Sequence, residues 1–161
     1  MKTLAMTAIA ALMATSAFAE SQDWLLSENG DWKVLLVDLE NEPLSCVMEN
    51  AEPEVGISFM VWTYGDGFYD IQLYDDTFDF EPGTSGHLVL QIDDKQPVVG
   101  AAVAIDESIF MNGLDDLEFL VDFTLGNTLY VLDDNGNETH WFSLDGTAAS
   151  MVEFMNCAQS L

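Results

Sequence analysis

The sequence predicts a mainly β domain: an antiparallel sandwich or partly rolled sheet of about eight or nine strands, with two short α-helices, one of them C-terminal. Three observations carry this. Short runs rich in Val, Ile, Leu and aromatic residues follow one another from Trp32 to Ile105. Turns rich in Gly, Asp and Asn separate them. Beyond Met111 two segments switch to the helical apolar period.

The elements follow in order. Residues 20–31 are polar apart from Trp24 and are expected to fray. The domain itself is expected to span 32–161, without repeats, linkers or an internal boundary. Trp32 to Leu39 has the short apolar run of a largely buried strand. Leu44 to Met48 follows Pro43 and carries Cys46. Ile57 to Tyr64 is aromatic and β-branched, and Gly65-Asp66-Gly67 turns the chain. Phe68 to Tyr74 alternates, so one of its faces meets water. Asp75 to Gly86 is the longest irregular stretch. His87 to Ile92 and Val98 to Ile105 flank the turn Asp93-Asp94-Lys95-Gln96, and Ser108 to Met111 reads as one more short strand.

The period then changes. Asn112 is placed to cap a helix, with Asp115 and Asp116 in its first turn. Leu114, Leu117, Val121 and Leu125 share the face that such a helix turns to its core, and Gly126 stops it. Thr128 to Leu132 and Glu138 to Leu144 form a hairpin around Asn135-Gly136. Asp145 or Thr147 caps a second helix running to about Gln159. Ala148, Met151, Val152 and Met155 form its shared face, with Cys157 to one side.

Charge excludes several function classes. The chain has 161 residues, 29 acids against three Lys, and a formal charge of −26. Phosphate contacts need Lys and Arg, so nucleic acid is not an expected partner. Anionic membrane surfaces are excluded on the same ground. At 49% hydrophobic residues the chain is too apolar for a disordered acidic tail.

Residues 1–19 read as a secretory signal peptide: Lys2, an apolar core over Leu4 to Met13, and Ala17-Phe18-Ala19 ahead of a cut between Ala19 and Glu20. Cleavage would leave 142 residues that keep all 29 acids and two Lys, a formal charge of −27. The expected location is bacterial and periplasmic, or secreted. Two cysteines, Cys46 and Cys157, follow in the exported part. In an oxidising compartment such a pair forms one disulfide. A redox or metal thiol pair is the alternative, and C-x-x-C spacing is missing.

No catalytic constellation stands out. His87 and His140 each lie at or within a predicted strand, where a structural or surface role is expected. G-x-S-x-G and H-E-x-x-H are absent. Met151 and Met155 read as core filling rather than copper(I) ligands. Asn137-Glu138-Thr139 is a formal glycosylation acceptor that a bacterial chain carries by chance. Carboxylates are so numerous that no pair is singled out, although Trp32, Trp62 and Trp141 could flank a glycosidase-like cleft. Two loops are oxygen-rich enough to suggest calcium: Asp75, Asp76, Asp79 and Glu81, and Asp133 to Glu138. Neither has EF-hand spacing, and the second is already accounted for as a hairpin turn.

The stretch from Trp32 to Cys157 resembles small exported proteins of the invasion-associated locus B type from alphaproteobacteria. The likeness rests on Trp32-Lys33-Val34 in the opening strand, on the order helix, Gly126, strand and hairpin, and on Phe142-Ser143-Leu144-Asp145-Gly146-Thr147-Ala148-Ala149, where a strand runs into the last helix. It implies a periplasmic β-sandwich-like domain without known catalytic residues. The chain departs from that pattern near Leu36, where a Cys is missing, and Cys46 comes later.

The expected function is therefore binding: an exported, highly acidic, non-enzymatic β domain, or an envelope-associated structural protein. Its partner would be a basic protein or envelope component, met by the sheet face or the 75–86 loop. The acidity has two readings, solubility and docking. Two alternative functions stand beside this: a small periplasmic hydrolase using a carboxylate pair, and a calcium-binding domain.

Overall fold

The computed structural model describes residues 22–52 and 54–161. The expected signal peptide and its cut between Ala19 and Glu20 lie outside the described residues. The chain forms β1 (Gln22–Asn29), β2 (Trp32–Asp38), β3 (Ser45–Glu52), β4 (Ile57–Thr63), β5 (Tyr69–Asp75), β6 (Ser85–Ile92), β7 (Val98–Ile105), β8 (Ser108–Leu114), α1 (Leu117–Leu125), β9 (Thr128–Leu132), β10 (Glu138–Ser143) and α2 (Thr147–Ala158).

Among the described residues all ten strands belong to one antiparallel sheet in the order β1-β2-β3-β4-β5-β8-β7-β6-β9-β10. The structure thus takes the partly rolled form rather than a sandwich of two sheets. Period-two alternation assigns the faces. One inward row runs through paired residues Val34, Met48, Val61, Ile71, Met111 and Ala102 across six strands. These side chains are buried and belong to one core.

The roll returns the end of β10 to β2 and β3. Trp32 Nε1 and Asn50 Nδ2 donate to the Ser143 carbonyl at 2.9 and 3.0 Å. The Asp31 amide donates to Asp145 O at 3.2 Å. Within the roll, Trp32 meets Phe123 edge-on at 5.2 Å and Phe59 lies 5.5 Å from Phe142. Such edge-on and tilted pairs suit the aromatic quadrupole. α2 packs on β1, β2 and β3, and α1 packs on α2. The Cys46–Cys157 disulfide fixes α2 to β3, with a Cα–Cα distance of 6.0 Å. Among the described residues no helix is long and apolar enough to cross a membrane.

Four local expectations are corrected. Residues 22–29, expected to fray, form β1 along the edge of β2, with a bulge at Leu26. Ladder hydrogen bonds rather than burial make this strand, since Trp24, Leu25 and Leu26 are exposed. Asn112 lies inside β8, and α1 is capped by Asp116, whose Oδ1 accepts from the amides of Glu118 and Phe119 at 2.9 and 3.0 Å. α1 buries Phe119, Leu120 and Phe123, and leaves Leu117, Val121 and Leu125 outside. Two Phe rings bury more apolar area than the aliphatic stripe would, which settles the choice. α2 has Gly146 at its N-cap, with no side-chain cap from Asp145 or Thr147, and buries Thr147, Ser150, Phe154 and Cys157, so Cys157 sits on the buried stripe.

Gly126 ends α1 for a reason other than the usual left-handed cap. Its backbone is extended (φ −75°), and a Cβ there would lie 2.4 Å from Ile92 Cγ2. The helix terminus needs close approach to β6, and only glycine permits it.

Candidate functional site

The end of β5 and the loop that joins it to β6 carry the four acids singled out from sequence. Asp75, the last residue of β5, is turned inward and buried. Its Oδ1 accepts from the Thr77 amide at 2.8 Å and the Thr77 hydroxyl at 2.6 Å. Its Oδ2 lies 2.9 Å from His140 Nε2 on β10. His140 Nδ1 lies 3.0 Å from Thr139 Oγ1, whose hydroxyl donates to Val131 O. Each ring nitrogen of His140 thus has an oxygen within hydrogen-bond distance. Burial works to raise the Asp75 carboxyl. The bonds from Thr77 and His140, with the attraction of the imidazole, outweigh it and hold the group below the ordinary Asp value.

The rest of the loop is tied at both ends. The Asp76 amide donates to Gly56 O, the Gly83 amide to Ala104 O, and the Ala104 amide to Thr84 O. Phe78 packs edge-on against His140 at 5.9 Å and meets Phe80 at 5.0 Å. Asp76, Asp79 and Glu81 are exposed, and Phe80 lies half-exposed beside them. The loop is tied near both ends and carries its carboxylates on the outside.

This geometry separates the calcium candidates. Asp75 spends its oxygens on Thr77 and His140, while Asp76, Asp79 and Glu81 face solvent. Among the described residues no three His, Cys, Asp or Glu side chains gather as metal ligands. In the second acidic loop, Asp133 accepts from the Asn135 amide and from the Asn137 amide and side chain at 2.8 to 2.9 Å. The Asn137 bonds lead in lowering its carboxyl below the usual value. It is a hairpin brace.

The two histidines are placed differently. Both ring nitrogens of His140 are engaged, and His87 is exposed on β6. Trp32, Trp62 and Trp141 separate in role. Trp32 is fully buried, and Trp62 is half-buried, its indole N–H without a hydrogen-bond partner among the described residues. Trp141 is 54% exposed and borders a cleft of about 420 Å³ lined also by Glu28, Asp31, Lys33 and Glu52. On β3 beside this cleft, burial is the chief cause that raises the Glu49 carboxyl; its ladder partner Lys33 lowers it and Asp23 adds to the rise. Sequence reading missed both groupings. Asp75 and His140 are 65 residues apart, and the cleft draws on β1, β2, β3 and β10. No spacing motif links residues brought together by the roll of a sheet.

Comparison with protein-family models, with curated proteins and with solved structures finds no match.

Proposed function

We propose that this is an exported, non-enzymatic β domain that acts by binding a basic protein or envelope component through the 75–86 loop. One observation carries the reading. The Asp75–His140 pair anchors the loop from inside, so Asp76, Asp79, Glu81 and Phe80 stand outward on a fixed frame. Preorganised charges bind without the entropy cost of ordering them, and steer a basic partner towards the site. The disulfide and the absence, among the described residues, of a membrane-spanning helix fit an exported domain.

The test is capture from a cell-envelope extract by cross-linking. Asp76→Asn/Asp79→Asn/Glu81→Gln should lose the captured basic component. A variant that neutralises Asp38, Glu40 and Glu42 instead matches it in net charge and should retain capture. Equal capture by both variants removes the loop as the contact.

A second reading, a small hydrolase using a carboxylate pair, is favoured by the cleft where Trp141 meets Glu28, Asp31 and Glu52. It predicts that a neutral or cationic oligosaccharide quenches Trp fluorescence and is cleaved, and that Glu52→Gln abolishes cleavage. Unchanged fluorescence with chitooligosaccharides ends this reading for that substrate class.

A further inference from the structure

α1 has two apolar faces. Phe119, Leu120 and Phe123 enter the core. Leu117, Val121 and Leu125, spaced four apart, form a second stripe that is 72%, 55% and 75% exposed. Burial in the fold does not account for it, since a helix on the surface of a domain turns polar residues outward.

An acidic row runs along one side of this ridge. Glu118 and Asp122 lie one turn apart, with Asp115 and the capping Asp116 at its start. Between Asp115 and Leu125 there is no basic residue. Lys95 bonds Asp122 at 3.1 Å, and its ammonium is held above the usual Lys value first by that hydrogen bond and charge, then by Asp94 and Glu118. Behind the row opens a groove of about 380 Å³ lined by Ile92, Lys95, Pro97, Asp116, Glu118 and Phe119.

Charge selects the occupant. A second copy seated on this ridge would bring together two chains of −26 each. An anionic bilayer meets the same repulsion. A segment with aliphatic side chains one turn apart and Lys or Arg beside them matches both the ridge and the row. We propose that the outward face of α1 docks a basic amphipathic helix of another protein, its apolar stripe on Leu117, Val121 and Leu125 and its cations on Glu118, Asp94 and Asp115. The groove lies at the Ile92 end of β6, whereas the 75–86 loop enters β6 at Ser85. The two are about 23 Å apart along an eight-residue strand. The ridge is thus a second surface, and its argument does not depend on the loop.

The probe is a fluorescent synthetic helix with Leu at every third and fourth position and Lys elsewhere. Its control is a peptide of the same composition with the Leu positions scrambled. Binding to the full chain is read by anisotropy at physiological salt. The amphipathic peptide should bind at least about tenfold more tightly than the scrambled one. Leu117→Ser/Val121→Ser/Leu125→Ser leaves the charge unchanged and should abolish that preference, with an unaltered circular dichroism spectrum. Asp76→Asn/Asp79→Asn/Glu81→Gln should keep it. Equal binding of both peptides to the wild type, or a preference that survives the triple Ser change, overturns the proposal. So does a wild-type dimer in sedimentation velocity that the triple Ser change converts to monomer, because the ridge would then be covered by a second copy.

Discussion

His140 Nε2 lies 2.9 Å from Asp75 Oδ2, joining the tenth strand to the end of the fifth across 65 residues of sequence. β5 and β10 are not neighbours in the sheet, so no ladder joins them. This pair therefore bridges the roll where hydrogen-bonded strands do not, and it sets the root of the acidic loop.

Removing the imidazole should expose this role. His140→Ala leaves a buried carboxylate with only Thr77 as partner and should cost about 1–3 kcal/mol in urea unfolding at neutral pH. Phe78 loses its edge-on neighbour in the same variant. The sign with pH follows from Asp75. Its folded-state carboxyl sits below the ordinary value, so its stabilisation is fully present above the unfolded pKa. It is lost as pH falls through the lowered folded value. Asp75→Asn should flatten that part of the acid limb, and an unchanged acid limb would separate the pair from acid stability.

The disulfide should dominate the stability of α2. Cys46 and Cys157 close a separation of 111 residues. The chain-entropy model assigns such a loop roughly 4–5 kcal/mol. Cys46→Ala/Cys157→Ala should lose up to that amount, read from the denaturant midpoint. Both cysteines are buried, so a phosphine reductant should act slowly on the native protein and quickly once urea begins to open it.

Two glycines should respond differently to the same substitution. Gly146, at φ +91°, would place a Cβ 2.0 Å from the Asn29 carbonyl oxygen. Gly136, at φ +80°, has open space around it. Gly136→Ala should cost about 1–2 kcal/mol for left-handed backbone alone. Gly146→Ala should cost distinctly more, because β1 must also move. Equal thermal midpoints for the two variants would show that β1 yields freely.

Salt should stabilise the protein without regard to the cation. Repulsion among 29 acids is relieved by screening. Melting midpoints should rise smoothly and alike in NaCl, MgCl₂ and CaCl₂ at matched ionic strength. A saturable rise with sub-millimolar calcium alone would mark a built site instead.

Much of this was legible in residue order. Alternation in Phe68 to Tyr74, the β-branched run Ile57 to Tyr64 and the Asn135-Gly136 turn each specify local structure through short-range geometry. With only two cysteines available, the pairing of Cys46 with Cys157 needed no more than an oxidising compartment. The two strands and the hairpin lie within a residue of their predicted places, whereas β3 runs on from the predicted end at Met48 to Glu52 and β8 from Met111 to Leu114. The tertiary structure decided matters that period cannot. α1 is apolar on both faces, so spacing alone could not choose between Leu117-Val121-Leu125 and Phe119-Leu120-Phe123; packing against Trp32 and Phe59 chose. β1 lacks a burial signal because its pairing with β2, not a core, holds it. Asp75 and His140 meet because the sheet rolls, and a roll is a sum of twists over ten strands that no single segment encodes.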